Sequence, residues 1–220
     1  MKHPALDSSS AGLSCILEYM VTVYIDGENF RKNLVRSLID AHLLSSERNL
    51  LSYPIRTLIK DVLESDEVAI KYYASKIKMP VGYVPSDNTL QQVESIKEYS
   101  RHWVASLLSQ QISYIKAGNL KVRSSKPCRN CHTSQDILQE KGVDVRIALD
   151  ILESAYEIGP ENAIIIASSD TDLCPVIHKV QAKGIRVVYL CFATQINRAL
   201  SAVANETVAI SEGKLRRYAP

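Results

Sequence analysis

Residues 21–30 read VTVYIDGENF, an apolar run that passes without a break into polar residues. Its first part is rich in β-branched and aromatic residues, which is typical of a buried strand. The run then ends in Asp26, Gly27, Glu28 and Asn29. Either a surface turn or a binding site explains this change. In open α/β sheets, ligands bind beyond the carboxyl ends of the strands, which is where Asp26 would lie.

The remainder of the chain alternates short β-rich runs with longer helical patterns. The predicted strands are 21–25, 68–73, 112–117, 163–168, 185–191 and 207–210. The predicted helices lie near 30–44, 54–64, 89–109, 143–157, 174–183 and 195–204. This alternation predicts one α/β domain, a mostly parallel sheet with helices on both faces. We expect an N-terminal arm at 1–18, the domain at 19–212 and a C-terminal tail at 213–220.

Composition excludes several classes of protein. Of the 220 residues, 46% are apolar and 23% charged, which argues against a disordered chain, and the net charge is only +2. No stretch reaches the roughly 18–20 apolar residues of a membrane span, and the N-terminus lacks the layout of a secretory signal. We therefore expect a cytoplasmic protein with no membrane partner, whose five cysteines are reduced thiols.

Further acids follow predicted strand ends or open predicted helices. Asp170 and Asp172 come directly after the strand at 163–168, where a helix N-cap is the alternative interpretation. Asp144 opens the helix at 143–157, and a helical projection places it on the apolar side, where a carboxylate needs compensation. The same projection places Asp150 on a solvated face with Arg146.

If the sheet order brings Asp26, Asp144, Asp170 and Asp172 together, their carboxylates cannot all stay ionised without a cation. Hard oxygen ligands suit Mg²⁺ or Mn²⁺. Such an ion lowers the pKa of bound water and holds a phosphate oxygen, as phosphodiester hydrolysis requires. Asn29 is then either a supporting ligand or a helix N-cap. Ser168 and Ser169 are either hydrogen-bond donors to the site or strand-end caps.

Three motifs in this order resemble the NYN domain, and its LabA-like branch, of the PIN-like nuclease superfamily. They are Asp26-Gly27-Glu28-Asn29, Lys141-Gly142-Val143-Asp144-Val145 with Ala148-Leu149-Asp150, and Ser168-Ser169-Asp170-Thr171-Asp172. The resemblance covers about residues 20–192. It implies a Rossmann-like sheet and Mg²⁺- or Mn²⁺-dependent cleavage of RNA, with single-stranded RNA as the expected substrate. Asp26, Asp144, Asp170 and Asp172 would be the catalytic, metal-binding acids, with Asn29 and Ser168 supporting. Asp150 also matches the pattern and is given a secondary role.

Residues 112–132 carry many cations and no acid. We predict that this run binds the nucleic-acid backbone; the alternative is a solvated strand edge protected by lysines. The cations are Lys116, Lys121, Arg123, Lys126 and Arg129.

The same run contains Cys128 and Cys131, half of a tetrahedral zinc site. A loop with two reduced thiols is the favoured interpretation, since the missing ligands would have to come from His102, Cys174 or a second chain.

The sequence thus predicts a metal-dependent ribonuclease whose partner is RNA, and it leaves homo-oligomers open. The main alternative is a non-catalytic regulator that binds RNA, a nucleotide or a protein in the same acidic pocket. An aspartyl-phosphate phosphatase is disfavoured, because Asn29 and Phe30 follow Glu28 where that class usually has Thr or Val.

Overall fold

A computed structural model describes residues 21–44, 47–79, 84–159 and 162–219 of the chain. The expected N-terminal arm at 1–18 lies outside the described residues. Seven strands are described: β1 Val21–Asp26, β2 Val68–Lys78, β3 Ser113–Ser124, β4 Asp136–Lys141, β5 Ala163–Ala167, β6 Arg186–Phe192 and β7 Glu206–Ile210. The described α-helices are α1 Gly27–Asp40, α2 Ile55–Leu63, α3 Asp87–Ser109, α4 Val143–Glu157, α5 Cys174–Gln181, α6 Arg198–Val203 and α7 Glu212–Arg217.

The strands form one sheet in the order β4-β3-β2-β1-β5-β6-β7. Every neighbouring pair is parallel except β3 and β4, which run antiparallel. The predicted α/β fold, a mostly parallel sheet flanked by helices, is confirmed. The strand order places β1 and β5 side by side at the centre, although 136 residues of the chain lie between Asp26, the end of β1, and Ala163, the start of β5.

Helices cover both faces of the central strands. Val21, Val23 and Ile25 point into one core with α1, α2 and α3, whereas Tyr24 points into a second core with α4, α5 and α6. All four side chains are fully buried. This two-sided burial explains why β1 is nearly continuous in apolar residues instead of alternating with polar ones.

The structure adds elements that the hydrophobic pattern does not reveal. β4, with the sequence DILQEK, is not predicted, because half of its residues are charged and nothing in its own sequence indicates that it pairs with β3. β2 and β3 continue to Lys78 and Ser124, well beyond the predicted ends at 73 and 117. Together, residues 75–78, 118–124 and 136–141 form a three-stranded sheet extension past the end of β1.

Two boundaries differ from prediction for identifiable reasons. α1 begins at Gly27, not near residue 30, because the Asp26 side chain caps the helix. Residues 213–220 are not a tail throughout: α7 occupies Glu212–Arg217, with Leu215 buried against the core. Lys214 and Arg217 both pair with Asp61, which fixes α7 beside α2. No described helix is both long and apolar enough to cross a membrane.

Candidate active site

The carboxyl ends of β1 and β5 meet at the centre of the sheet. Ile25 is the register partner of Ala167, so Asp26 and Ser168 follow at the same level on adjacent strands. Parallel strands end at the same edge, and their following loops therefore share one space. This juxtaposition was predicted from the sequence only on condition that the sheet order allowed it.

Asp26 is almost fully buried, with 4% of its surface exposed, and both of its carboxylate oxygens accept hydrogen bonds. Ser168 Oγ donates to Oδ2 over 3.0 Å, and the Asn29 side-chain amide donates to the same oxygen. The Asn29 backbone N–H donates to Oδ1 over 3.3 Å, which is the N-cap contact of α1. These bonds hold the carboxylate in one orientation.

Asn29 joins the two loops of the edge. Its Oδ1 accepts from Ser169 Oγ over 3.0 Å, while its amide contacts Asp26. Asn197, which the sequence reasoning missed, donates from Nδ2 to the Ser169 carbonyl over 2.9 Å. Asn197 also caps α6, accepting from the N–H groups of Ala199 and Leu200. Its position after β6, the next strand of the sheet, was the available signal.

Asp170 and Asp172 occupy a 3₁₀ turn, Thr171–Leu173, between β5 and α5. Asp170 Oδ1 accepts from the Asp172 N–H over 2.9 Å, so the capping role that the sequence suggested is present. The Asp170 N–H donates to Ser168 Oγ over 3.1 Å, linking this turn to Asp26. The Asp172 side chain is exposed.

Asp144 lies in the first turn of α4, half-buried, at the same edge. Burial raises the pKa of its carboxyl, and the nearby carboxylates of Asp170, Asp26 and Asp172 raise it further. The acids contributed by β1, α4 and the turn after β5 therefore act on one another electrostatically. The structure brings all four predicted acids to one edge.

Glu140, near the end of β4, is a further acid of this edge that the sequence reasoning missed. Burial raises its pKa against the opposing effect of a Ser75 hydrogen bond, and Asp26, Glu28 and Asp144 raise it further. Only the pairing of β4 with β3 places it there, so no local motif marks it. Glu28 is different: its carboxylate pairs with Arg31 and Lys32, each at 3.1 Å, along the surface of α1.

The predicted solvated position of Asp150 is wrong. Asp150 is 8% exposed and accepts from Tyr73 Oη over 2.9 Å and from Arg146 Nε over 2.8 Å. The helical projection failed because it could not foresee a polar partner from β2 beneath α4. Tyr73 is the register partner of Asp26, so Asp150 attaches α4 to the sheet beside the site.

Gly27 lets α1 start against β2. A Cβ at this position would lie 2.3 Å from Tyr72 Cε1 and 2.5 Å from the Tyr73 carbonyl oxygen. Tyr72 Oη donates to the Gly27 carbonyl over 2.6 Å. The start of α1 therefore packs so closely against β2 that only glycine fits at this position.

The chemistry of the donors at this edge fits Mg²⁺ or Mn²⁺. Carboxylate, amide and hydroxyl oxygens are ligands for hard cations. Burial and, after it, the charges of Asp170 and Asp26 raise the pKa of Asp144, and a bound cation would oppose both effects. Among the described side chains, however, no three His, Cys, Asp or Glu groups are arranged as a ready-made metal centre. The edge supplies suitable donors without a preformed three-ligand site.

The predicted basic run is divided between a strand and a loop. Lys116, Lys121 and Arg123 are exposed on β3, and Lys126 and Arg129 are exposed in the 125–135 loop before β4. Lys116 precedes a register shift in β3, so it does not share the regular alternation of the other two.

Cys128 and Cys131 lie in the same loop, and both are exposed. A hydrogen bond with the Thr133 hydroxyl, together with the Thr133 backbone and the Cys128 thiol, lowers the pKa of Cys131 to about 7. Neither His102 nor Cys174 completes a three-residue metal site with them in the described part of the chain.

Fold and site together define an α/β domain with carboxylates gathered at the carboxyl edge of its sheet. The chain matches the sequence profile of the NYN domain over residues 20–211 and belongs to that family. The NYN domain places it in the PIN-like nuclease superfamily. None of the curated proteins matches the chain.

Two solved structures are similar in outline. A protein of unknown function from Vibrio parahaemolyticus is 18% identical, with a TM-score of 0.45, covering 86% of this chain and 91% of the other. A phosphofructokinase-2 mutant from Escherichia coli is 13% identical, with a TM-score of 0.32, covering 68% of this chain and 43% of that one. At these identities and TM-scores the similarities carry no argument about function.

Proposed function

We propose that this protein is a metal-dependent ribonuclease of the LabA-like branch of the NYN domain family. The observation that carries the proposal is that three separate segments, the end of β1, the first turn of α4 and the turn after β5, bring Asp26, Asp144 and Asp170 to one edge of the sheet, where burial and the neighbouring charges raise the pKa of Asp144. A helix cap or a structural ion pair needs one carboxylate, whereas carboxylates gathered from separate segments around a half-buried acid favour a cation that balances their charge.

Asp26, Asp144, Asp170 and Asp172 would hold Mg²⁺ or Mn²⁺. The bound ion would supply a water of lowered pKa and a positive charge for the scissile phosphate. Ser168 and Asn29 hold the Asp26 carboxylate in place through hydrogen bonds to both of its oxygens. Asn197 and Ser169 fix the neighbouring loop, so that Asp170 and Asp172 face the same edge.

The test is the Asp144→Asn variant with single-stranded RNA and Mn²⁺. Asparagine keeps the size of the side chain and removes the charge, so we expect cleavage to fall by at least about 100-fold while the fold is retained. Asp40→Asn is the matched control, because Asp40 is an exposed acid at the opposite end of α1. RNA length is followed by gel, and the fold by circular dichroism.

Unchanged cleavage by Asp144→Asn, with contaminating nucleases excluded, would contradict the proposal. A wild-type protein that binds RNA but shows no Mn²⁺- or Mg²⁺-dependent turnover would instead support the non-catalytic regulator. The two outcomes differ in binding and turnover, so both are measured on the same preparation.

A further inference from the structure

The sheet extension stands beyond the end of β1. β1 ends at Asp26, opposite Tyr73, whereas β2 continues from Ala74 to Lys78. At a rise of roughly 3.3 Å per residue, this segment projects about 17 Å past the strand that bears the first site carboxylate. β3 runs beside this segment of β2, on the side away from β1, and β4 runs beside β3.

Strand register shows which side chains of the extension share a face. Lys78 is opposite Lys121, and Lys76 is opposite Asn119, which is opposite Lys141. Directly opposed residues, and residues two apart on one strand, point to the same side of a sheet. One face, here called the basic face, therefore carries five exposed cations: Lys76, Lys78, Lys121, Arg123 and Lys141.

Among the described residues of β2, β3 and β4, no acid lies on this face. The residues that alternate with the cations on the same face are Asn119, Gln139 and Ile137. None of the five cations takes part in an ion pair with another described residue. Like charges directly opposite each other, as in Lys78 and Lys121, destabilise a sheet.

Protection of a sheet edge explains only part of the arrangement. Lysines discourage edge-to-edge pairing when they lie on an edge strand. Lys141 lies on the edge strand β4, and the segment of β2 that bears Lys76 and Lys78 is not paired with β1. Lys121 and Arg123 lie on β3, which is hydrogen-bonded on both sides by β2 and β4, so edge protection does not explain these two cations.

The opposite face is built differently. Val122 points to that side and is 2% exposed, and Glu140 pairs with Leu120 on the same side. Glu140 interacts with Asp26 and Asp144. The extension thus separates an acidic side, at the site, from a basic side. The two sides meet at Lys141, which lies three residues before Asp144 in the chain.

We propose that the basic face binds the phosphate backbone of RNA and delivers the strand to the acidic edge around the end of β4. This inference rests on the proposed function for the identity of the polyanion. The inference changes the predicted set of RNA-binding cations. Lys121 and Arg123 stay in it, and Lys76, Lys78 and Lys141 are added. The remaining predicted cations, Lys116, Lys126 and Arg129, are not part of the basic face. A row of exposed cations on neighbouring strands fits contacts with the phosphate backbone that are independent of sequence.

The test compares the double variant Lys78→Gln and Lys121→Gln with the control double variant Lys179→Gln and Lys183→Gln. Both pairs are exposed lysines, and the control pair lies in and after α5, away from the extension. Binding of a fluorescent 20-nucleotide single-stranded RNA is measured by anisotropy in EDTA, from 50 to 200 mM salt. EDTA prevents metal-dependent cleavage during the measurement.

For the Lys78 and Lys121 variant we expect Kd to rise about tenfold at low salt, and the slope of log K against log salt to fall by about 1.4. The control variant should bind like the wild type. Because a like-charge pair is removed, the melting temperature of the Lys78 and Lys121 variant should not fall.

Equal loss of affinity in both double variants would overturn the inference, since it would indicate a general effect of net charge. So would wild-type affinity in the Lys78 and Lys121 variant, or a wild-type protein that binds acidic peptide but no RNA. Failure of the proposed function is a separate outcome, because absent cleavage in Mn²⁺ leaves the binding measurement in EDTA unaffected.

Discussion

Gly27 is the residue on which the position of Asp26 depends most directly. A Cβ would approach the Tyr73 carbonyl oxygen to 2.5 Å, and backbone cannot move aside as a flexible side chain can. We expect Gly27→Ala to lower the free energy of unfolding by about 1–3 kcal/mol, the usual cost of overpacking. Urea denaturation measures this change.

Gly213→Ala is the matched control for Gly27. Gly213 lies in α7, and the nearest atom to an added Cβ is Ser211 Oγ at 3.9 Å. Alanine is favoured over glycine in helices by up to about 1 kcal/mol, so this variant should be as stable as the wild type or more so. Equal stability of the two variants would contradict the packing explanation for Gly27.

Individual site residues differ in how far the sequence reveals them. Asp26, Asp170 and Asp172 follow apolar strands directly, so strand recognition alone locates them. Glu140 and Asn197 become part of the edge only through pairing and loop contacts that no local pattern encodes. The limit is physical: a side chain's partners lie on other strands, while the pattern describes only its neighbours in the chain.

The attachment of α4 to β2 decides where Asp144 lies. Asp150, six residues after Asp144, accepts from Tyr73 Oη over 2.9 Å beneath the helix. We expect Tyr73→Phe to lower the free energy of unfolding by about 1 kcal/mol, the smaller end of the range for a buried group that loses one partner. Arg146 remains as the second partner of Asp150.

A double-mutant cycle separates the energy of the hydrogen bond between Tyr73 and Asp150 from the other effects of removing the Tyr73 hydroxyl. Asp150→Ala should cost less in the Tyr73→Phe background than in the wild type, because the two residues share one hydrogen bond and alanine, unlike asparagine, offers the Tyr73 hydroxyl no acceptor. Tyr156→Phe is the control, since Tyr156 is 75% exposed and should lose nothing measurable. Additive effects in the cycle would contradict a direct contact between Tyr73 and Asp150.

The elements themselves were predictable where burial imposes a pattern. β1, β5 and β6 are covered on both faces and are therefore nearly continuous in apolar residues, which the sequence displays. β4 and the ends of β2 and β3 are partly exposed and rich in lysine, so they look like loops. Their strand conformation comes from cross-strand hydrogen bonds, and that information lies in the fold as a whole.

Across the whole molecule, positive and negative side chains are segregated on the sheet although their numbers nearly balance. The net charge is only +2, yet carboxylates gather at the carboxyl edge and exposed cations at the basic face. Each group alone destabilises the fold through like-charge repulsion. The two unfavourable groups lie on opposite sides of one extension, which is the arrangement expected of a protein that binds a phosphate backbone and a cation together.

The burial of Asp144, together with this repulsion, predicts a specific dependence of stability on pH. The pKa of Asp144 is raised in the folded protein, by burial and by Asp170 and Asp26, so the native state binds its proton more tightly than the unfolded chain does. The stabilisation that the bound proton of Asp144 gives the native state is therefore fully present below the pKa of the unfolded chain, about 3.9. It is lost as pH rises through the pKa of the folded protein. At pH 7 the ionised Asp144 makes the native state less stable than an uncharged residue would.

We therefore expect Asp144→Asn to melt at a higher temperature than the wild type at pH 7 in EDTA, with a difference that shrinks as pH falls toward 4. Differential scanning calorimetry from pH 4 to pH 8 measures this convergence, and Asp40→Asn, an exposed acid outside the cluster, should show no such trend. A variant that is less stable than the wild type at pH 7 would indicate that Asp144 stabilises the native state through a hydrogen bond. In that case the hydrogen bond would outweigh burial and repulsion together, and the charge of Asp144 would no longer argue for a cation at the edge.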